Sequence, residues 1–169
     1  IASVERLQHV KHAGKLGITT GEVGFDYTKI MERKEKIVTT LRGGVEGLLK
    51  SNHVQREIGT ARVSGINSVE ITYPDGSKKT ITSKKIIVAT GSAPIIPPIP
   101  GLRENLGNGI WTSNEAVKAP FVPTSMVVIG AGAVGLEFAY VFAGLGSAVH
   151  VVELMEEVVP LADAEVAAE

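Results

Sequence analysis

Met126-Val-Val-Ile-Gly130-Ala-Gly132-Ala-Val-Gly135-Leu-Glu-Phe-Ala139, followed nine residues later by Ala148-Val-His-Val-Val-Glu153, is the stretch that decides the fold. Met126 to Ile129 is a short β-branched run, the pattern of a strand buried on both faces. Gly130 to Gly135 is a glycine-rich turn. Leu136 to Leu145 is apolar enough for a buried helix, which Gly144 and Gly146 stop. Ala148 to Val152 is a second strand, and it ends in an acid. Strand, glycine turn, helix, strand is a βαβ unit, so the fold class read here is α/β with a parallel sheet.

The spacing G-x-G-x-x-G between a strand and a helix is the pattern of a dinucleotide-binding turn. Gly130 permits the tight turn, and Gly132, without a Cβ, lets a pyrophosphate approach the backbone. Gly135 lets the helix pack on the strand. The ligand would meet free N–H groups and the positive end of the helix dipole. Ala131, Ala133, Val134, Leu136 and Glu137 complete the candidate segment. Glu153, 23 positions after Gly130, can accept hydrogen bonds from both hydroxyls of an adenosine ribose. A 2′-phosphate there would face a carboxylate, a repulsion of about 4 kcal/mol at ~4 Å in an effective dielectric near 20. Residues 120–169 contain no Lys or Arg to receive it. NAD is therefore favoured over NADP. The turn's own residues leave NAD and FAD equally open.

Charge places this unit within the chain. All 17 Lys and Arg lie between Arg6 and Lys118, and residues 1–119 hold 11 acids, whereas residues 120–169 hold seven acids. A boundary is expected near Pro120 and Pro123. The length of 169 residues and 44% hydrophobic content exclude bulk disorder. The absence of cysteine excludes disulfides, thiolate metal sites and thiol chemistry within this chain. The net charge of −1, and lysine pairs without interleaved aromatics, give no reason to expect a nucleic-acid partner. No apolar stretch is long enough to span a membrane. His9 and His12 lack a third nearby ligand, so no metal is expected. The chain starts with Ile, and 161–169 reads as the opening of a helix, so a piece of a longer protein is expected.

Outward from the turn, the pattern changes twice. Residues 1–17 and 26–50 have helical spacing, with Asp26 able to cap the second helix. Val54–Val63, Ser68–Tyr73 and Lys79–Thr82 alternate with period two, and Tyr73-Pro-Asp-Gly-Ser77 is a turn between strands. Lys85-IIVAT-Gly91 reads as another buried strand, ending at Thr90, Gly91 and Ser92 before the proline-rich Pro94–Pro100. Thr112-Ser-Asn-Glu115 has the form of a capping box.

This order of motifs resembles the flavin-dependent pyridine nucleotide-disulfide oxidoreductases, most of all their dihydrolipoamide-oxidising branch. The quoted carriers are IIVATGS, the proline crossover ending in Pro100-Gly101, the Thr112 cap, MVVIGAGAVGLEFA and the strand ending in Glu153. The resemblance implies two Rossmann-like domains for FAD and NAD(P), both incomplete, with a short β-meander in the first. Residues 1–119 would be the later part of the FAD-binding domain, and 120–169 the first part of an inserted NAD-binding domain. Ala61 matches the segment that passes the adenine end of FAD, and Thr90, Gly91 and Ser92 match the segment that contacts FAD. Gly130 to Glu137 with Glu153 match the NAD site. The family reaction moves electrons from dihydrolipoamide through a redox disulfide and FAD to NAD. No catalytic residue falls on this chain. The earlier flavin turn, the redox cysteine pair and the His-Glu acid/base pair are all absent and would lie outside its termini.

The resemblance also implies partners: a lipoyl-bearing subunit of a 2-oxo acid dehydrogenase or glycine cleavage complex, and a second copy in a homodimer. The compartment would be the cytoplasm, or the mitochondrial or plastid matrix in a eukaryote. The chain alone is expected to be inactive and to bind NAD weakly or not at all. Mercuric reductase, soluble transhydrogenase and a non-enzymatic NAD-sensing module are the alternatives.

Overall fold

The computed structural model describes residues 1–159 together with 162, 163, 165 and 167; most of the helix expected over 161–169 lies outside them. Two compact units divide the chain. One comprises Ile1–Glu35 with Pro94–Glu169, the other Lys36–Ala93.

The first unit contains the βαβ element. Strand β4 (Ser125–Ile129), helix α4 (Ala133–Gly144) and strand β5 (Ala148–Val152) follow the expected order. β4 and β5 pair in parallel, Met126 opposite Val149 and Ile129 opposite Val152. Gly146, at φ +104, makes the tight exit from the helix. His150 is exposed, because only one face of the two-stranded ladder is covered.

Helix α1 (Ala2–Lys11) and a 3-10 turn (Ala13–Leu16) replace the single helix expected over 1–17, and Gly17 ends the turn at φ +76. α1 packs on the C-terminal end of α4. Val4, Leu7 and Leu145 form the buried cluster, and Tyr27, Ile30, Val122 and Val141 close around it. The Gln8 side chain donates to the Gly144 carbonyl at 3.1 Å. A Cβ on Gly144 would lie 2.2 Å from the Val4 side chain, so this glycine admits α1 as well as ending a helix.

Helix α2 (Tyr27–Ser51) opens on Asp26, whose carboxylate accepts from the Lys29 N–H at 3.1 Å. None of its residues is buried. In the second unit, β1 (Thr60–Gly65), β2 (Ser68–Thr72) and β3 (Lys78–Thr82) form the expected antiparallel meander in the order β1-β2-β3. β1 starts at Thr60 rather than Val54 because its partner β2 ends at Thr72. The Tyr73 to Ser77 turn is present, with Gly76 at φ +83.

One expected strand is not formed. Residues 85–91 are irregular, and Ile87 and Val88 are 90% and 71% exposed. A parallel strand needs a ladder partner and cover on both faces. Neither described sheet includes this run.

Helix α3 (Ser113–Ala116) carries the complete capping box. The Asn114 N–H donates to the Thr112 hydroxyl at 3.2 Å, and the Thr112 N–H donates to the Glu115 carboxylate at 2.7 Å.

Candidate nucleotide-binding site

The turn between β4 and α4 is shaped by its three glycines, each for a different reason. Gly130 sits at φ +103, where side chains are strained, and its N–H donates to the Val152 carbonyl at 2.8 Å. Gly132 is the N-cap of α4 and supplies no side-chain cap. A Cβ on Gly132 would meet nothing within 4 Å, so the space in front of the helix start is open. A Cβ on Gly135 would lie 2.2 Å from the Gly130 carbonyl oxygen and 3.3 Å from the Val128 side chain. Only glycine allows helix and strand to approach this closely.

The end of β5 closes onto the same turn. Glu153 Oε2 accepts from the Ala131 N–H at 2.6 Å. Its Oε1 accepts from the Leu154 and Met155 N–H groups at 2.7 and 3.0 Å. The N–H groups of Met155, Ala131 and Leu154 hold this carboxyl below the usual glutamate range, because hydrogen bonds to the ionised form favour it. Glu153 therefore places a fixed negative charge beside a helix N-terminus whose first amides have no intrahelical acceptor. Each carboxylate oxygen keeps lone-pair capacity for a hydroxyl donor. The arrangement offers free amides to a pyrophosphate and an anionic acceptor to a diol.

The other turn residues differ in exposure. Ala131 is fully buried; Ala133, Val134 and Glu137 are exposed; Leu136 is half-buried. Gly130 to Glu137 and Glu153 thus come together within the first unit. Ala61 and Thr90–Ser92 lie in the second. Ala61 is exposed on β1 opposite Ile71. Thr90, Gly91 and Ser92 are exposed in the irregular run, with Gly91 at φ +78.

Two backbone contacts carry no side-chain signature in the sequence. A Cβ on Gly59 would lie 2.6 Å from the Thr72 carbonyl oxygen, so this glycine sets how closely the chain enters β1. The Val159 N–H donates to the Ala131 carbonyl at 2.9 Å. A backbone contact of that kind leaves no mark in side-chain chemistry. Among the described residues no group of three or more His, Asp or Glu side chains could hold a metal ion, and no helix is long and apolar enough to cross a membrane.

A sequence model described as pyridine nucleotide-disulphide oxidoreductase matches residues 3–169. The chain belongs to this family. Its relatives include dihydrolipoyl dehydrogenases from Acholeplasma laidlawii, 37% identical over 98% of this chain and 48% of the relative, and from Chlorobaculum tepidum, 40% identical over 98% and 35%. The mitochondrial dihydrolipoyl dehydrogenase of Dictyostelium discoideum is 39% identical over 90% of the chain and 31% of its own length. A solved HOCl-induced flavoprotein disulfide reductase from Escherichia coli superposes with a TM-score of 0.73 at 27% identity, over 83% of this chain and 32% of that one. The chain thus spans 31% to 48% of the length of these relatives. The mixed α/β architecture is that of the Rossmann-like family, and the dihydrolipoyl dehydrogenases are users of FAD and NAD.

Proposed function

We propose that this chain carries the NAD-reading turn, and part of the FAD-binding surface, of a dihydrolipoyl dehydrogenase that oxidises dihydrolipoamide through a redox disulfide and FAD and reduces NAD. The observation that carries the reading is the Glu153 carboxylate, hydrogen-bonded to the Ala131 N–H at the opening of α4. An anion fixed there accepts ribose hydroxyls and repels a 2′-phosphate. No Lys or Arg of residues 120–169 offsets it.

The residues present fit NAD. Gly132 leaves its approach open, and the amides of Gly132 to Gly135 start α4 without a side-chain cap. They would bind the pyrophosphate, while Glu153 orients the adenosine ribose. Glu137 lies one turn into α4, towards the expected nicotinamide side. When bound, NAD accepts a hydride and carries it away. This chain binds and orients the carrier, and the redox cysteines and the proton-handling His-Glu pair belong to other parts of the protein.

On the flavin side, Ala61 and Thr90, Gly91 and Ser92 are the proposed contacts. Residues 1–119 are proposed as the later part of the FAD-binding domain and 120–169 as the first part of the NAD-binding domain. The proposed partners are a lipoyl-bearing subunit of a 2-oxo acid dehydrogenase or glycine cleavage complex and a second copy of the enzyme. The proposed compartment is the cytoplasm or an organelle matrix.

The complete gene product is expected to reduce NAD with dihydrolipoamide, and the 169-residue chain alone is not. Turnover by the chain alone, or a preference of the complete protein for NADP, contradicts the proposal.

A further inference from the structure

We infer that Glu153–Val159 is a strap that clamps the glycine-rich turn, with Val159 as its far fastening and a positioning residue for the amides at the start of α4. The inference rests on the proposed reading of this turn as the nucleotide site.

The turn's polar backbone groups divide into two sets. The Gly130 N–H is taken by the Val152 carbonyl, and the Ala131 N–H by Glu153. The Ala131 carbonyl is taken by the Val159 N–H at 2.9 Å. Ala131 is therefore held at both of its polar ends from one seven-residue segment, and it is 0% exposed. The amides of Gly132, Ala133, Val134 and Gly135 form the other set. They open α4, where an α-helix provides no internal acceptor and Gly132 no side-chain cap. The end of β5 and the strap together fix the first set and leave the second for an anion.

Two further observations show how the strap is held. Val159 has φ +45, a region that β-branched residues rarely enter. Such a conformation persists only where the surroundings enforce it, and here it aims the Val159 N–H at Ala131. Between the ends, apolar packing adds little. Leu154 is 97% exposed, and Met155 and Val158 are also exposed. The strap is thus fastened at its ends by hydrogen bonds, and removing one end releases it.

The test is residue-resolved hydrogen–deuterium exchange on the ligand-free 169-residue chain. Val159→Pro deletes the N–H and cannot adopt the positive φ. Val159→Gly keeps the N–H and accepts that φ freely. We expect the Ala131 amide to exchange at least tenfold faster in V159P and in Glu153→Ala, and within twofold of the parent in V159G. Amides inside α4, from Phe138 to Phe142, should keep their protection in all three, which separates release of the strap from unfolding. Ala131 exchange within twofold of the parent in V159P overturns the inference, as does equal acceleration in V159G. Clamp behaviour as expected, with no effect of saturating NAD on the exchange of the Gly132–Gly135 amides in the complete gene product, would support the strap and count against the NAD reading.

Discussion

Two runs of this chain look alike on paper and fold differently. Ile86-Ile-Val-Ala-Thr90 ends at Gly91, and Met126-Val-Val-Ile129 ends at Gly130. Both are apolar, both are β-branched, and both glycines take a positive φ, +78 and +103. The second run pairs with β5 and is locked by the Gly130–Val152 hydrogen bond. The first has no ladder partner among the described residues, and Ile87 lies open at 90% exposure. A local pattern specifies what a strand would bury. Whether the strand forms depends on a neighbour that local pattern does not contain.

The largest expected break in the well-formed run is Gly135→Ala. Its Cβ would meet the Gly130 carbonyl oxygen at 2.2 Å, a backbone atom that cannot swing aside. A loss of about 3 kcal/mol is expected from overpacking of this severity, measurable by chemical denaturation of the chain. Next comes the paired comparison of Gly130→Ala with Gly91→Ala. The first should cost about 1–3 kcal/mol, since the ladder enforces the strained φ. The second should cost less than about 1 kcal/mol, since an unpaired segment relaxes. Equal losses would erase the distinction between the two runs. Thr112→Ala, which removes one half of the capping box, should cost about 1 kcal/mol and leave both runs unchanged in amide exchange.

The smallest effect is that of pH, and it too distinguishes the regions. Glu153 is held below the usual glutamate range by the N–H groups of Met155, Ala131 and Leu154. A carboxyl with a lowered folded pKa stabilises the fold above its unfolded value, and that contribution fades as pH falls through the folded one. Protection of the Ala131 amide should therefore survive to below the ordinary glutamate range and then drop. In the meander, Glu57 is lowered by Lys79 and Tyr73, and Glu70 by Lys78 and Arg62. The lysine and arginine partners of these half-buried carboxylates are exposed, so added salt should weaken the pairs, whereas the backbone-held Glu153 should respond less.

The sequence made the βαβ unit legible because each of its glycines has a separate steric role. Gly130 needs its φ, and Gly135 needs its missing Cβ. Glu153 was legible by its spacing from Gly130, and the capping box by Thr112 and Glu115. The meander followed from alternation and from the Tyr73–Ser77 turn. Three features were not legible. The packing of α1 on α4 depends on Gly144 facing Val4 across more than a hundred residues, a distance that local periodicity does not encode. The exposure of residues 86–90 reflects a missing ladder partner. The Val159 contact to Ala131 is made by backbone atoms alone.

The central claim is that the glycine turn with Glu153 reads an unphosphorylated adenosine ribose. It is tested most directly by titrating the 169-residue chain with NAD and with NADP at millimolar concentration, following the backbone amides by NMR. The account predicts weak binding of NAD, with shifts confined to Gly132–Gly135 and the residues around Glu153, and at least tenfold weaker binding of NADP. Equal or stronger binding of NADP, or NAD shifts that bypass the turn, would contradict it.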